Sequence, residues 1–287
     1  MKNLLFLFFS SILCCSCTRY GQLKKIADLP DILEEVSGIE KIQGSDILWM
    51  HNDSGNNAEI YGVTTQGNIV RKLAIEVKNN DWEDITSDEQ GNLYVADFGN
   101  NDNKRKNLVI YKIAHQYLLT NGEVPVEKIN FLYPNQTKYP PKKKDRFFDA
   151  ESILYYKNNL YIFTKSRVKD AYGKTTLYRI PAKAGSYKAE YVSEFETCNN
   201  DSSCWITAAS ISPDKNKIAL LNHNTVFVFS NFTGDNFFNG NCSRYELNHT
   251  SQKEGITFKD NHTVYITDEK SHGMGGNLYE FSLKMNE

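Results

Sequence analysis

Five copies of one short pattern, each followed by short alternating strands, together with the absence of any long 3.6-residue periodicity after residue 20, predict an all-β chain. The copies are Glu35-Val-Ser37-Gly-Ile39, Asp81-Trp-Glu83-Asp-Ile85, Asp149-Ala-Glu151-Ser-Ile153, Thr207-Ala-Ala209-Ser-Ile211 and Gln252-Lys-Glu254-Gly-Ile256. Repeats of four strands every 40–50 residues or so are the signature of propeller blades. The prediction is a five-bladed β-propeller with four-stranded blades, its last blade closed by the N-terminal strand.

Each element follows the same grammar. The isoleucine opens the innermost strand, and a polar turn rich in Asn, Asp and Gly follows, as at 89–92, 156–159 and 259–261. A second strand is read at 46–50, 93–95, 160–163, 218–220 and 264–266, and a third at 60–63, 108–111, 177–180, 226–229 and 278–281. Fourth strands are read at 69–75, 128–132 and 191–195. The isoleucines are 46, 68, 58 and 45 residues apart; the long intervals hold an insertion at 133–146 and a loop at 166–175. Only 31 residues follow Ile256, enough for three strands, so residues 22–29 must complete that blade. Such closure leaves no open sheet edge. The Lys142-Lys-Lys144 run beside Pro140 and Pro141 reads as a solvated loop.

The start of the chain reads as an export signal. Lys2 precedes an apolar stretch at 4–13, too short to span a bilayer, and small residues and cysteines follow. Residues 1–16 are taken as a lipoprotein-type signal, 17–21 as anchor and linker, and 22–287 as the propeller domain. Cys17 is the expected lipidation site, with Cys15 as the other acceptor and a plain secretory signal as the alternative. The expected location is the bacterial cell envelope, on a membrane facing the periplasm or the cell surface. Of 33 basic and 35 acidic residues the signal holds only Lys2, which leaves a net charge of about −3 and no basic stripe, against a nucleic-acid partner. An oxidising compartment permits one disulfide among Cys198, Cys204 and Cys242; Cys198 and Cys204 would close a short loop.

Counting back from each isoleucine, the fourth and second residues lie two apart and point the same way on a strand. Six of these ten positions are carboxylates, Glu35, Asp81, Glu83, Asp149, Glu151 and Glu254. That many acids in one funnel need a cation or a proton to coexist. With all-oxygen donors and no His or Cys in the motif, Ca²⁺ is the expected cofactor. The fourth copy, with Thr207 and Ala209, breaks the ring, so the expected site leans toward Glu83 and Glu151. The loops joining second and third strands share that face and supply Asp53, Asp97, Lys165, Arg167, His223 and Asp268 as candidate ligand-binding residues. The alternative for the acids is pairing with backbone amides and with Lys165 and Arg167. Trp49, Trp82 and Trp205 are candidate stacking platforms or core. A non-catalytic module, a monomer holding a ligand or an envelope protein on this face, is the first functional reading. The second is a metal-dependent hydrolase of phosphoesters or lactones, with His51, His223 or His272 moving the proton. No G-x-S-x-G nucleophile is present, and Gly273-Met-Gly275-Gly276 opens no helix.

The strings Glu35-Val-Ser-Gly-Ile39, His51-Asn-Asp53-Ser-Gly55, Asp81-Trp-Glu-Asp-Ile85, Gly91-Asn-Leu-Tyr-Val-Ala-Asp97, Asp149-Ala-Glu-Ser-Ile153 and Glu254-Gly-Ile256 resemble the SdiA-regulated family of propellers. More loosely, the chain is similar to NHL-repeat, esterase-like phytase and gluconolactonase-type calcium propellers. The resemblance covers residues 22–283. It implies five blades, a calcium site and no settled enzymatic activity, with family acids at Glu35, Glu83, Glu151 and Glu254.

Overall fold

A computed structural model describes residues 20–284 except 121, 199–201 and 272. The expected signal at 1–16, with Cys15, and Cys17 and His272 lie outside the described residues. The chain forms five sheets, antiparallel but for one added strand in each of two, around a central channel. Blade 1 is Val36–Lys41, Leu48–Asn52, Glu59–Val63 and Ile69–Ile75; blade 2 is Trp82–Ser87, Leu93–Asp97, Leu108–Ile113 and Glu127–Leu132. Blade 3 is Asp149–Tyr156, Asn159–Lys165, Lys174–Pro181 and Glu190–Glu196; blade 4 is Ala208–Ile211, Lys217–Leu221, Thr225–Ser230 and Asn241–Glu246. Blade 5 is Lys253–Asp260, Thr263–Asp268 and Asn277–Ser282, and Lys24–Asp28 pairs antiparallel with its third strand. The ring is closed by the N-terminal strand, as the short last repeat requires.

Two blades carry more than the four strands expected. Gly122–Val124 leaves blade 2 and adds parallel to the outer strand of blade 1, and Gly185–Lys188 leaves blade 3 and adds to blade 2. Each short strand covers backbone groups that would otherwise stand at an open edge.

The core is five apolar wedges, one at each seam between blades. Four of the motif isoleucines are fully buried in these wedges: Ile39 between blades 5 and 1, Ile85 between 1 and 2, Ile153 between 2 and 3, and Ile256 between 4 and 5. Ile211 is half-buried at the seam of blades 3 and 4. Burying one such side chain contributes about 1.5–3 kcal/mol. Trp82 and Trp49 belong to the wedge of blades 1 and 2 and are core, not platforms.

The repeat predicts that the isoleucines open the inner strands, and the structure corrects this. In blades 1, 2, 3 and 5 the ladder starts three or four residues earlier, at the polar pair itself. It accommodates that pair with a register shift between Val36 and Gly38, Trp82 and Asp84, Ala150 and Ser152, and Lys253 and Gly255. The extra residue is Ser37, Glu83, Glu151 or Glu254. Blade 4, whose copy lacks acids, keeps an unbroken register from Ala208 to Ile211. A bulge re-aims one side chain out of the period-two alternation.

Neighbouring inner strands are tied by side chains reaching backbone amides. Asp84 accepts from Ile153 N–H at 2.9 Å and Ile85 N–H at 2.8 Å, Thr86 Oγ1 accepts from Tyr155 N–H, and Thr257 Oγ1 from Lys41 N–H. Cys198 and Cys204 are joined in a disulfide, with Cα atoms 5.4 Å apart, just before Trp205; Cys242 is a free thiol on the outer strand of blade 4.

Candidate metal centre and ligand funnel

The bulged residues Ser37, Glu83, Glu151 and Glu254 line a cavity of about 330 Å³ at one mouth of the channel. Asp53 and Asn101 join them from blades 1 and 2, Lys165 and Arg167 from blade 3, Trp205 and His223 from blade 4, Gln252 and Glu269 from blade 5.

The acids divide into two groups by their partners. On the blade 3 side Lys165 Nζ lies 2.5 Å from Glu151, and both are buried. Arg167 lies 2.7 Å from Asp149 and 4.0 Å from Glu151, and Asn100 N–H donates to Asp149 at 2.8 Å. Burial alone would lower the Lys165 pKa, but Glu151, Asp149, Glu254 and Glu83 outweigh it and hold the ammonium charged. Burial pushes Glu151 up while Lys165 pulls against it, and a charged lysine at 2.5 Å makes this an ion pair. Both cations also sit over the Trp205 ring, at 5.2 and 4.9 Å from its centroid. Of the expected lean toward Glu83 and Glu151, the Glu151 side is taken up by basic side chains: Lys165 and Arg167, 14 and 18 residues beyond Glu151 and Asp149, already neutralise those acids.

On the other side Asp53, Asp81 and Glu83 gather with no ion pair to a basic side chain among the described residues; Lys165 acts on Asp53 and Glu83, and Arg105 on Asp81, only from a longer distance. One oxygen of each lies within 4.8 Å of the others. Burial, then Asp53, push the Asp81 carboxyl up to about 6. Burial, then Glu151 and Asp53, raise Glu83 well above the carboxylate range, and burial and Glu254 raise Asp53. Gly99 makes room for the cluster: a Cβ there would stand 2.0 Å from Glu83 Oε1 and 2.5 Å from Asp81 Oδ2. Three carboxylate oxygens, held close and repelling one another, fit a hard cation such as Ca²⁺.

The other named residues go to different work. Glu35 stands on the exposed rim, where it accepts from Asn56 Nδ2 at 2.5 Å. Thr207 Oγ1 donates to Lys253 O at 2.6 Å. Glu254 faces the funnel 3.7 Å from His223 Nε2. Asp97 and Asp268 do not reach the funnel. Asp97 is buried against Arg105 at 2.7 Å and Asn80 at 2.8 Å, and Asp268 takes Asn277 N–H and Tyr279 O–H, each at 2.9 Å. His51 is buried beside Trp82, its pKa lowered to about 4 by burial, and does not line the cavity.

Sequence reasoning passed over Glu269 and Gly99. Glu269 faces the funnel, its pKa raised to about 8 by burial and by Glu254, Asp53 and Glu35. Alternation carries the signal: Asp268 ends a strand pointing into its blade, so the next residue points the other way.

No protein-family model matches the chain, and no curated protein does. Among solved structures it is similar to virginiamycin B lyase from Staphylococcus aureus, with 15% identity, 89% of this chain and 69% of that chain covered, and a TM-score of 0.42. The β-propeller domain of Myceliophteria thermophila Cps50 (Swd1) gives 10% identity, 92% and 100% coverage, and 0.46. A luciferin-regenerating enzyme gives 11%, 91%, 76% and 0.45. Likeness at this level carries no argument about activity; the chain's own strand order makes it a five-bladed β-propeller.

Proposed function

We propose that this chain is an exported, lipid-anchored binding protein of the bacterial envelope, related to the SdiA-regulated propellers, that holds Ca²⁺ at Asp53, Asp81 and Glu83. The observation that carries this reading is the convergence of those three carboxylates, none in an ion pair with a basic side chain among the described residues, beside a glycine whose missing Cβ leaves them space. The cation would neutralise one wall of the funnel, while Lys165, Arg167 and Trp205 form the opposite wall. A ligand or envelope partner would bridge the two walls. Calorimetric titration of the soluble domain (residues 20–287) with Ca²⁺ tests the site. Binding lost in both Asp53→Asn and Glu83→Gln supports it, and no heat or melting shift with Ca²⁺ overturns it. The anchor is tested separately, by the intact mass of membrane-extracted protein with and without Cys17→Ser; an unmodified wild-type N-terminus removes it.

One observation favours the hydrolytic alternative. His223 lies in the funnel 3.7 Å from Glu254, where an imidazole could shuttle a proton next to a cation. Turnover of a phosphoester or lactone panel with Ca²⁺, abolished by His223→Ala, would replace the binding reading.

A further inference from the structure

At the other mouth of the channel, formed by the C-terminal ends of the inner strands, lies a second cavity of about 310 Å³. Its floor is Glu40, the residue after the first motif isoleucine. The matching residues in the other copies are Thr86, Leu154, Ser212 and Thr257, so one acid stands in a ring of mostly hydroxyls. Ser87 Oγ donates to one Glu40 oxygen at 2.5 Å and Thr257 Oγ1 to the other at 3.2 Å.

The remaining charges of this mouth are mostly accounted for. Asp88 accepts from Asn92 N–H and Nδ2 and from Tyr94 O–H, and Asp260 accepts from His262 N–H. Lys215 pairs with Glu89, and Lys259 with Glu280 at 2.6 Å. Deeper in the channel Asp84 is held by backbone amides. Among the described residues no basic side chain forms an ion pair with Glu40; its near neighbour Lys41 contributes its backbone N–H, which is shared between Thr257 Oγ1 and the Glu40 carboxyl, and the Ser87 N–H also reaches that carboxyl. Burial therefore pushes the Glu40 carboxyl up to about 7, against the pull of its hydroxyl donors.

We propose that this cavity is a second binding site, taking a small organic cation whose primary ammonium pairs with Glu40. Both hydroxyls spend their hydrogens on Glu40, so the Ser87 oxygen stays free to accept an N–H from the ligand. One carboxylate with no counter-ion among the described residues calls for one positive charge, and the volume is in the range of small-molecule sites rather than that of a bare ion. The inference is independent of the calcium site, which lies at the opposite mouth.

The test is a melting-temperature titration of the soluble domain with methylammonium and ethanolamine, with tetramethylammonium and NaCl as controls. A saturable rise of roughly 3–6 °C at ten times the half-saturating concentration is expected for the two primary amines and not for the controls. Glu40→Gln, close in shape and still able to meet its neighbours, should abolish the rise, and Ser87→Ala should weaken it. Glu123→Gln, on the exposed outer strand added to blade 1, should leave it intact. Saturation-transfer NMR from the methylammonium methyl group to the protein gives a second readout, present in wild type and lost in Glu40→Gln. No saturable rise in wild type up to tens of millimolar amine, or an equal rise in Glu40→Gln, overturns the proposal.

Discussion

Replacing Asp81 by Asn should stabilise the cation-free protein and remove its response to Ca²⁺, a combination that packing effects do not produce. Burial and Asp53 raise the folded pKa from 3.8 to about 6. At 1.36 kcal/mol per unit this is about 3 kcal/mol, and discounting for the part-exposed site leaves about 1–2 kcal/mol. The sign follows from proton linkage. A carboxyl with a raised folded pKa holds its proton in the folded state after the unfolded state has lost it, so stability falls as pH rises between about 4 and 6 and stays low above. At pH 7.5 in EDTA, Asp81→Asn should therefore melt roughly 2–8 °C above wild type. Saturating Ca²⁺ reverses the order, because wild type gains about 2.7 kcal/mol at a hundred times Kd while the variant gains little. Differential scanning calorimetry of both proteins, with EDTA and with Ca²⁺, reads all four values. A variant that melts below wild type in EDTA, together with a wild type indifferent to Ca²⁺, would refute the reasoning.

Three further outcomes follow from the same geometry. Gly99→Ala places a methyl group against Glu83 and Asp81, and should cost about 1–3 kcal/mol and abolish the Ca²⁺-induced rise in melting temperature. Lys165→Met leaves buried Glu151 with only Arg167 at 4.0 Å, so urea unfolding should show a loss of about 3 kcal/mol at pH 8, smaller at pH 5 and largely restored by adding Glu151→Gln. Asp84→Ala strands the amides of Ile85 and Ile153 inside the channel, and should lower stability by about 2–5 kcal/mol with Ca²⁺ binding retained.

The sequence by itself determined the repeat. Apolar and turn positions have local causes, so five isoleucines counted five blades, and the short fifth repeat located the closing strand at Lys24–Asp28. It also marked which strand ends would carry acids. What it left open was which acids meet a cation and which meet a lysine. Two fifth strands cross to neighbouring blades, and a bulge at each acidic copy turns one residue out of the alternation. The hairpin register of blade 3 sets Lys165 and Arg167 against Glu151 and Asp149, and the packing of blade 1 on blade 2 brings Asp53 to Asp81 and Glu83. The physical reason is that electrostatic pairing depends on distance in space, over a few ångströms, whereas strand pattern depends on distance along the chain. Asp268 and Glu269 differ by one position in sequence, yet one holds its own blade together and the other faces the funnel.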